Sequence, residues 1–228
     1  MAVRFRQLTV EQWPLERIRE KDVIKRQKSY DGRVMFPSSH DITPANLDAC
    51  MTVIGNLLCA GNELLIVSKP RFECIDRICR EFHSARDRIL FRFTIGAMDD
   101  GILAFWEPGA PTYAERRDSL CLAHGNGFGT SVSIEPMLDI DHVTDMVADL
   151  QDCVTDAIWI GKMNHIKKSI RLSDEETKAA FADIDARQTD QGILGIYDQL
   201  KANPKIKWKE GIKKIVGIDI PDDYGLDQ

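Results

Sequence analysis

No stretch of this sequence stays apolar for the roughly 20 residues that a membrane-crossing helix needs. Residues 1–7 lack the apolar centre of a signal peptide. Together these absences predict a cytoplasmic protein with no membrane partner. Positive charge is not in surplus either. Lys plus Arg is 30 against 36 for Asp plus Glu, a formal net charge of −6. That gives no global case for a nucleic-acid partner, although a local basic patch stays open. No repeat, low-complexity tract or interdomain linker breaks the 228 residues, a length suited to one domain with a substantial core. No C-x-x-C occurs among Cys50, Cys59, Cys74, Cys79, Cys121 and Cys153, and His40, His83, His124, His142 and His165 show no ligand spacing. Cys74 and Cys79 fall on one expected helix and point to different sides. The cysteines therefore read as reduced core residues, not as disulfides or metal ligands.

What is present is a rhythm. Short apolar strands are expected at 33–36, 64–68, 89–95, 130–135 and 156–161. Helices are expected between them, at 44–59 (Thr43 as N-cap, Pro44 at N1), 72–82, 113–126 and 142–150. Strand–helix alternation of this kind predicts an α/β fold with a parallel sheet. Residues 1–32 read as a charged, solvated helical stretch. Beyond about residue 165 the pattern turns helical. Ser173 caps a helix with Glu176 at N3, and helical sequence runs to about Leu200 with interruptions near Gly192 and Gly195. Lys205, Lys207, Lys209, Lys213 and Lys214 then surround Trp208. This is either a solvated segment closing the sheet's edge or a nucleic-acid contact built from stacking and cations, and the net charge favours the former.

The organising stretch is 88–136. A strand ending in Thr94 leads into a loop at 96–111, which holds Asp99-Asp100 and Glu107-Pro108-Gly109-Ala110-Pro111. A helix follows, with Thr112 as N-cap and Glu115 completing a capping box. The next strand alternates, so that Val132 and Ile134 face one way and Ser131, Ser133 and Glu135 the other. A polar row ending in a carboxylate predicts a lined cavity at the carboxyl end of the strands. Polar residues gather beyond the other strands at the same rim: Ser39, His40 and Asp41, then Ser68 and Lys69, then Gly161, Lys162 and Asn164.

These segments carry a resemblance. Phe91-Arg92-Phe93-Thr94-Ile95, Phe105-Trp106-Glu107-Pro108-Gly109-Ala110-Pro111, Arg116 or Arg117, Gly127 and the strand at 130–136 resemble the radical SAM superfamily, most of all its spore photoproduct lyase-like branch. Ser39-His40-Asp41 and Val67-Ser68-Lys69 fit the same pattern in the same order, so the resemblance covers about residues 30–165. It implies a partial parallel (β/α) barrel at 1–165, with its first strand missing, and a helical C-terminal extension at 166–228 packed on it. It implies S-adenosylmethionine as cosubstrate and a [4Fe–4S] cluster in the full-length family, held by C-x-x-x-C-x-x-C. This sequence has no such motif. The expectation is thus a truncated radical SAM protein, the cosubstrate-binding part of an iron–sulfur radical enzyme, inactive alone. By the resemblance, Ser39 and His40 sit near the methionine amino group and Lys69 meets its carboxylate. Thr94 lies near the ribose, and Ser131, Ser133 and Glu135 line the lumen. Gly161 and Lys162 lie by the adenine. Ser38 stands where the DNA-repairing lyases place a hydrogen-donating cysteine, which argues against thymine-dimer repair.

Two rival readings stay open. One is a cluster-less ligand-binding or protein-interaction module, self-associating through an open barrel edge at 33–36. The other is a metal-independent hydrolase using Glu135 with Asp99 or Asp100. The substrate is not legible in the sequence.

Overall fold

The computed structural model describes residues 17–163 and 175–220. Its centre is a sheet of six parallel strands in sequential order. They are β1 (Arg33–Phe36), β2 (Glu63–Ser68), β3 (Ile89–Thr94), β4 (Gly129–Ile134), β5 (Ile158–Ile160) and β6 (Ile206–Trp208). The helices are α1 (Glu20–Val23), α2 (Leu47–Cys59), α3 (Phe72–Glu81), α4 (Asp100–Trp106), α5 (Tyr113–Gly125), α6 (Val143–Leu150), α7 (Glu175–Arg187), α8 (Asp190–Leu200) and α9 (Glu210–Val216). Consecutive parallel neighbours with helical crossovers of one hand place those helices on one face of the sheet. This is the order of a (β/α) barrel, not of a doubly wound sheet.

Alternation along the strands divides the side chains. Ile66, Phe91, Phe93, Val132, Ile134, Ile158 and Ile160 have no exposed surface and pack beneath the helices with Ile54, Ile75 and Leu120. Phe91 lies 5.3 Å from Phe93 and 5.4 Å from Phe128, ring centre to ring centre. The register pairs Arg92 with Ser131, Thr94 with Ser133, and Ser133 with Trp159 on the other face.

The expected parallel α/β architecture is present, with differences in detail. β6 is a sixth strand, inside the segment read from sequence as a helical extension; it pairs with β5 through Ile158↔Ile206 and Ile160↔Trp208. Three residues among lysines are too short a run to announce a strand. Trp208 is core, 7% exposed and 5.2 Å from Tyr197, so it offers no stacking surface for a nucleic-acid base. The expected loop at 96–111 contains α4, because Asp99 accepts from the backbone N–H groups of Gly101 and Ile102. Asp100 likewise accepts from Tyr113 N–H. With both aspartates committed to backbone, the hydrolase reading loses its second carboxylate. Gly192 and Gly195 lie within α8, and the helical break falls before Thr189, whose hydroxyl caps α8. In the described part of 1–32 only the single turn of α1 is helical. Ser173 and Asn164 lie outside the described residues.

The cysteines also depart from expectation. Cys121 of α5 and Cys153, just before β5, form a disulfide with a Cα–Cα distance of 5.0 Å. The packing of α5 against the turn at Gln151–Cys153 brings them together across 32 residues of sequence, which spacing alone does not reveal. Cys59 is exposed, whereas Cys50, Cys74 and Cys79 are buried as expected.

Candidate functional site

A cleft of about 580 Å³ opens at the carboxyl ends of β1 to β3, under the loop that follows α4. His40, Asp41, Lys69, Arg71, Glu107 and Pro136 supply its chemistry and shape. Asp41 is fastened to the end of β2. Its Oδ1 accepts from Lys69 N–H at 2.7 Å and from the Ser68 hydroxyl at 3.3 Å. The Ser68 hydroxyl in turn accepts from Ile42 N–H at 3.0 Å. Lys69 Nζ then sits between two carboxylates, 3.3 Å from Asp41 Oδ2 and 3.7 Å from Glu107 Oε1. Its side chain is 27% exposed, so the ammonium is fixed yet reachable.

The far wall is held by a buried ion pair. Arg116 of α5 has no exposed surface, and its Nη2 lies 2.7 Å from Glu107 Oε2. The contact misses hydrogen-bond alignment at both atoms and stands as a charge contact. Arg116 also donates to the carbonyls of Pro111, at 2.9 Å, and Thr94, at 3.2 Å. One side chain thereby ties both ends of the Glu107–Pro111 turn to the end of β3. Arg71 clasps the same turn from outside by donating to Gly109 O. The Thr112 cap expected from sequence starts α5, accepting from Glu115 N–H at 3.2 Å.

The second polar region is the sheet face turned away from the helices. Ser131 donates to Ala157 O at 2.6 Å and accepts from Arg92 Nε at 3.1 Å. Glu135 Oε2 lies 3.5 Å from Lys209 Nζ. Gly161 makes that approach feasible, since a Cβ there would stand 2.9 Å from both the Glu135 carboxyl carbon and the Lys209 stem. Gly96 allows a similar approach, because a Cβ would meet Pro136 O at 2.7 Å. That contact sets the ends of β3 and β4 side by side.

The sequence-selected residues therefore fall into two groups. His40 and Lys69 line the cleft, and Ser39 is exposed beside it. Thr94, Ser131, Ser133, Glu135 and Gly161 belong to the sheet face, and Lys162 is half-buried just beyond β5. Pro136 joins the groups, following Glu135 in sequence while lining the cleft. Three residues outside the selection matter as much: Glu107 and Arg116, which build the wall, and Trp159. An arginine inside the Leu-Cys-Leu-Ala helix gave no outward sign that it would be fully buried.

The thiols do not suit a [4Fe–4S] cluster, which needs converging thiolates. Burial pushes Cys74 up to about 11 and Cys79 to about 12, which keeps both protonated. Cys121 and Cys153 are bonded to each other. No group of three or more His, Cys, Asp or Glu side chains that could hold a metal occurs among the described residues.

No family model matches the chain, and no curated protein matches it. Among solved structures, the fold is similar to SuiB of Streptococcus suis bound to S-adenosylmethionine, with TM-score 0.50, 8% identity, and coverage of 73% of this chain and 38% of that one. A second crystal structure of SuiB gives a TM-score of 0.49 at the same identity, covering 37% of its length. The likeness is one of fold: an α/β parallel sheet with flanking helices. The chain spans well under half of SuiB's length. No helix among the described residues is long and apolar enough to cross a membrane.

Proposed function

We propose that this chain is the S-adenosylmethionine-binding part of a radical SAM-type protein, with the methionine end of the cosubstrate in the cleft at Lys69. The observation that carries the reading is the Lys69 ammonium held between Asp41 and Glu107 at the carboxyl ends of the strands. A zwitterionic amino acid end brings one carboxylate and one ammonium. Lys69 answers the carboxylate by a charge-assisted hydrogen bond, and Asp41 answers the ammonium. The rim position is where parallel β/α sheets keep their ligands. SuiB, whose fold is similar, was crystallised with S-adenosylmethionine. His40, Ser39 and Thr94 border the same rim and are the proposed further contacts.

S-adenosylmethionine supplies a 5′-deoxyadenosyl group when it is reduced beside a cluster. The thiols of this chain do not fit such a cluster, so no radical step is assigned to it. Binding without turnover is the expected behaviour of the isolated chain.

The test is equilibrium dialysis with labelled S-adenosylmethionine. Loss of a hydrogen bond to a charged group is worth about 1.5–3 kcal/mol, so Lys69→Ala is expected to weaken binding by roughly 10- to 100-fold. Equal binding by the wild type and Lys69→Ala would move the site elsewhere. The missing cluster ligands favour one second reading, a cluster-less module for another zwitterionic or nucleoside ligand. In that case S-adenosylmethionine fails to bind while another such ligand does.

A further inference from the structure

We infer that the open face of the sheet carries a second site, centred on Trp159, for a small phosphate-bearing molecule. The strands set it up. Arg92 of β3, Trp159 of β5 and Lys207 of β6 all point away from the helices, and Lys209 follows directly after β6. The Arg92 guanidinium carbon lies 5.2 Å from the centre of the Trp159 ring, and Lys209 Nζ lies 5.1 Å from it. Both are within cation–π range of the one ring.

Trp159 is only 9% exposed, yet its indole N–H is buried with no acceptor among the described residues. A buried donor left unmet is costly, and an indole N–H ordinarily finds a partner. Here two cations and an unmet donor gather on one patch of a chain whose net charge is −6. What the patch lacks is an acceptor with negative charge.

The acidic groups on this face do not fill that role. Glu135 is 3.5 Å from Lys209, Asp156 is 3.5 Å from Arg92, and Glu63 is 3.4 Å from Arg33. These are long pairs at partly exposed side chains, which hold weakly and leave the cations able to take a second partner. Burial lowers the Arg92 pKa from its ordinary value, so that guanidinium stands to gain from a further anion. Lys205 is committed elsewhere, donating to the carbonyls of Gln151 and Val154.

Arg92 comes from β3 and Lys209 from the end of β6, and two separate cations suit a tetrahedral oxyanion better than one flat carboxylate. A dianionic phosphate also matches more than one cation. Nucleic acid is the poorer occupant, because its bases need exposed rings to stack on, and Trp159 and Trp208 are both buried. None of Arg92, Trp159, Lys207 or Lys209 lines the Lys69 cleft, so this site stands apart from the S-adenosylmethionine reading and does not depend on it.

The experiment is a calorimetric and tryptophan-fluorescence titration of the full chain at constant ionic strength. The probes are inorganic phosphate, adenosine monophosphate and a single-stranded oligonucleotide. Saturable binding of inorganic phosphate alone identifies free phosphate as the ligand, and tighter binding of the monophosphate identifies an organic phosphate; either supports the site. Lys209→Gln, at a partly exposed position, is expected to weaken binding at least ten-fold, and Trp159→Phe to remove the fluorescence change. Lys69→Ala is expected to leave both unaltered, which separates this site from the cleft. Absence of saturable binding, binding untouched by Lys209→Gln, or a marked preference for the oligonucleotide would overturn the inference.

Discussion

The two faces of β3 and β4 are built from neighbouring residues and do opposite things. Towards the helices the strands present Phe91, Phe93, Val132 and Ile134, all without exposed surface. Towards the open side they present Arg92, Thr94, Ser131 and Ser133, and Glu135 continues the row beyond β4. Half of each strand thus supplies the apolar core and the other half a polar face. A register slip of one residue would exchange them. The lesson is that the polar row survives in a buried sheet because the apolar row carries the fold alone.

The largest effect should come from the helix face. Phe91→Ala is expected to cost about 3–5 kcal/mol in denaturant unfolding, the usual range for emptying an aromatic core position. Ser133→Ala, on the open face and 8% exposed, removes a single hydroxyl and should cost about 1 kcal/mol or less. Comparable losses for the two variants would break the comparison.

Arg116 is the exception that sharpens it, a charge buried on the helix side. Arg116→Met leaves the Glu107 carboxylate, 9% exposed, with only the longer 3.7 Å contact to Lys69. The expected cost is about 3–5 kcal/mol. Replacing both members with apolar residues should recover much of the loss, because the pair's own net contribution is small. A double variant no better than the single one would show that Arg116 acts through the Pro111 and Thr94 carbonyls instead.

Thiol labelling gives a graded check of the burial pattern. Cys59 is exposed and should react first with a disulfide reagent under native conditions. Cys74 and Cys79, held protonated by burial, should wait for unfolding. Mass spectrometry of the labelled peptides reads the order directly.

The smallest effect is a pH dependence at the surface. A hydrogen bond to Asp139, and then the charge of the same carboxylate, raises the pKa of His142 in the folded chain above 6.5. A raised folded value means that the contribution is fully present below the unfolded pKa and is lost as pH rises through the folded one. His142→Ala should remove that slope above pH 6.5 and leave the acid limb of the profile unchanged.

Much of the architecture was legible because local signals agreed. The Thr112 cap and the apolar runs of β2 and β3 mark real boundaries to within a few residues. Two caps differ in detail: the Glu115 carboxylate accepts from Phe72 N–H instead of closing the box on Thr112, and α2 begins at Leu47 after Asn46, whose side chain accepts from Thr43 N–H, instead of at Pro44 after Thr43. β6 was not legible, since Ile206-Lys207-Trp208 is a strand only because β5 lies beside it. Nor was α4, a helix of only seven residues. At the site, the rim positions of Lys69 and His40 followed from strand ends. The burial of Arg116, the Cys121–Cys153 pairing and the approach of Lys209 to Trp159 depend on contacts across long stretches of chain, which no local pattern encodes.

The most direct test of the central reading is a crystal structure of the chain with S-adenosylmethionine. The methionine carboxylate is expected within hydrogen-bond distance of Lys69 Nζ, with its ammonium towards Asp41 and the nucleoside along the rim past Thr94. Ligand density anywhere else, or an intact Lys69–Asp41 pair with the cleft empty at saturating ligand, would contradict it.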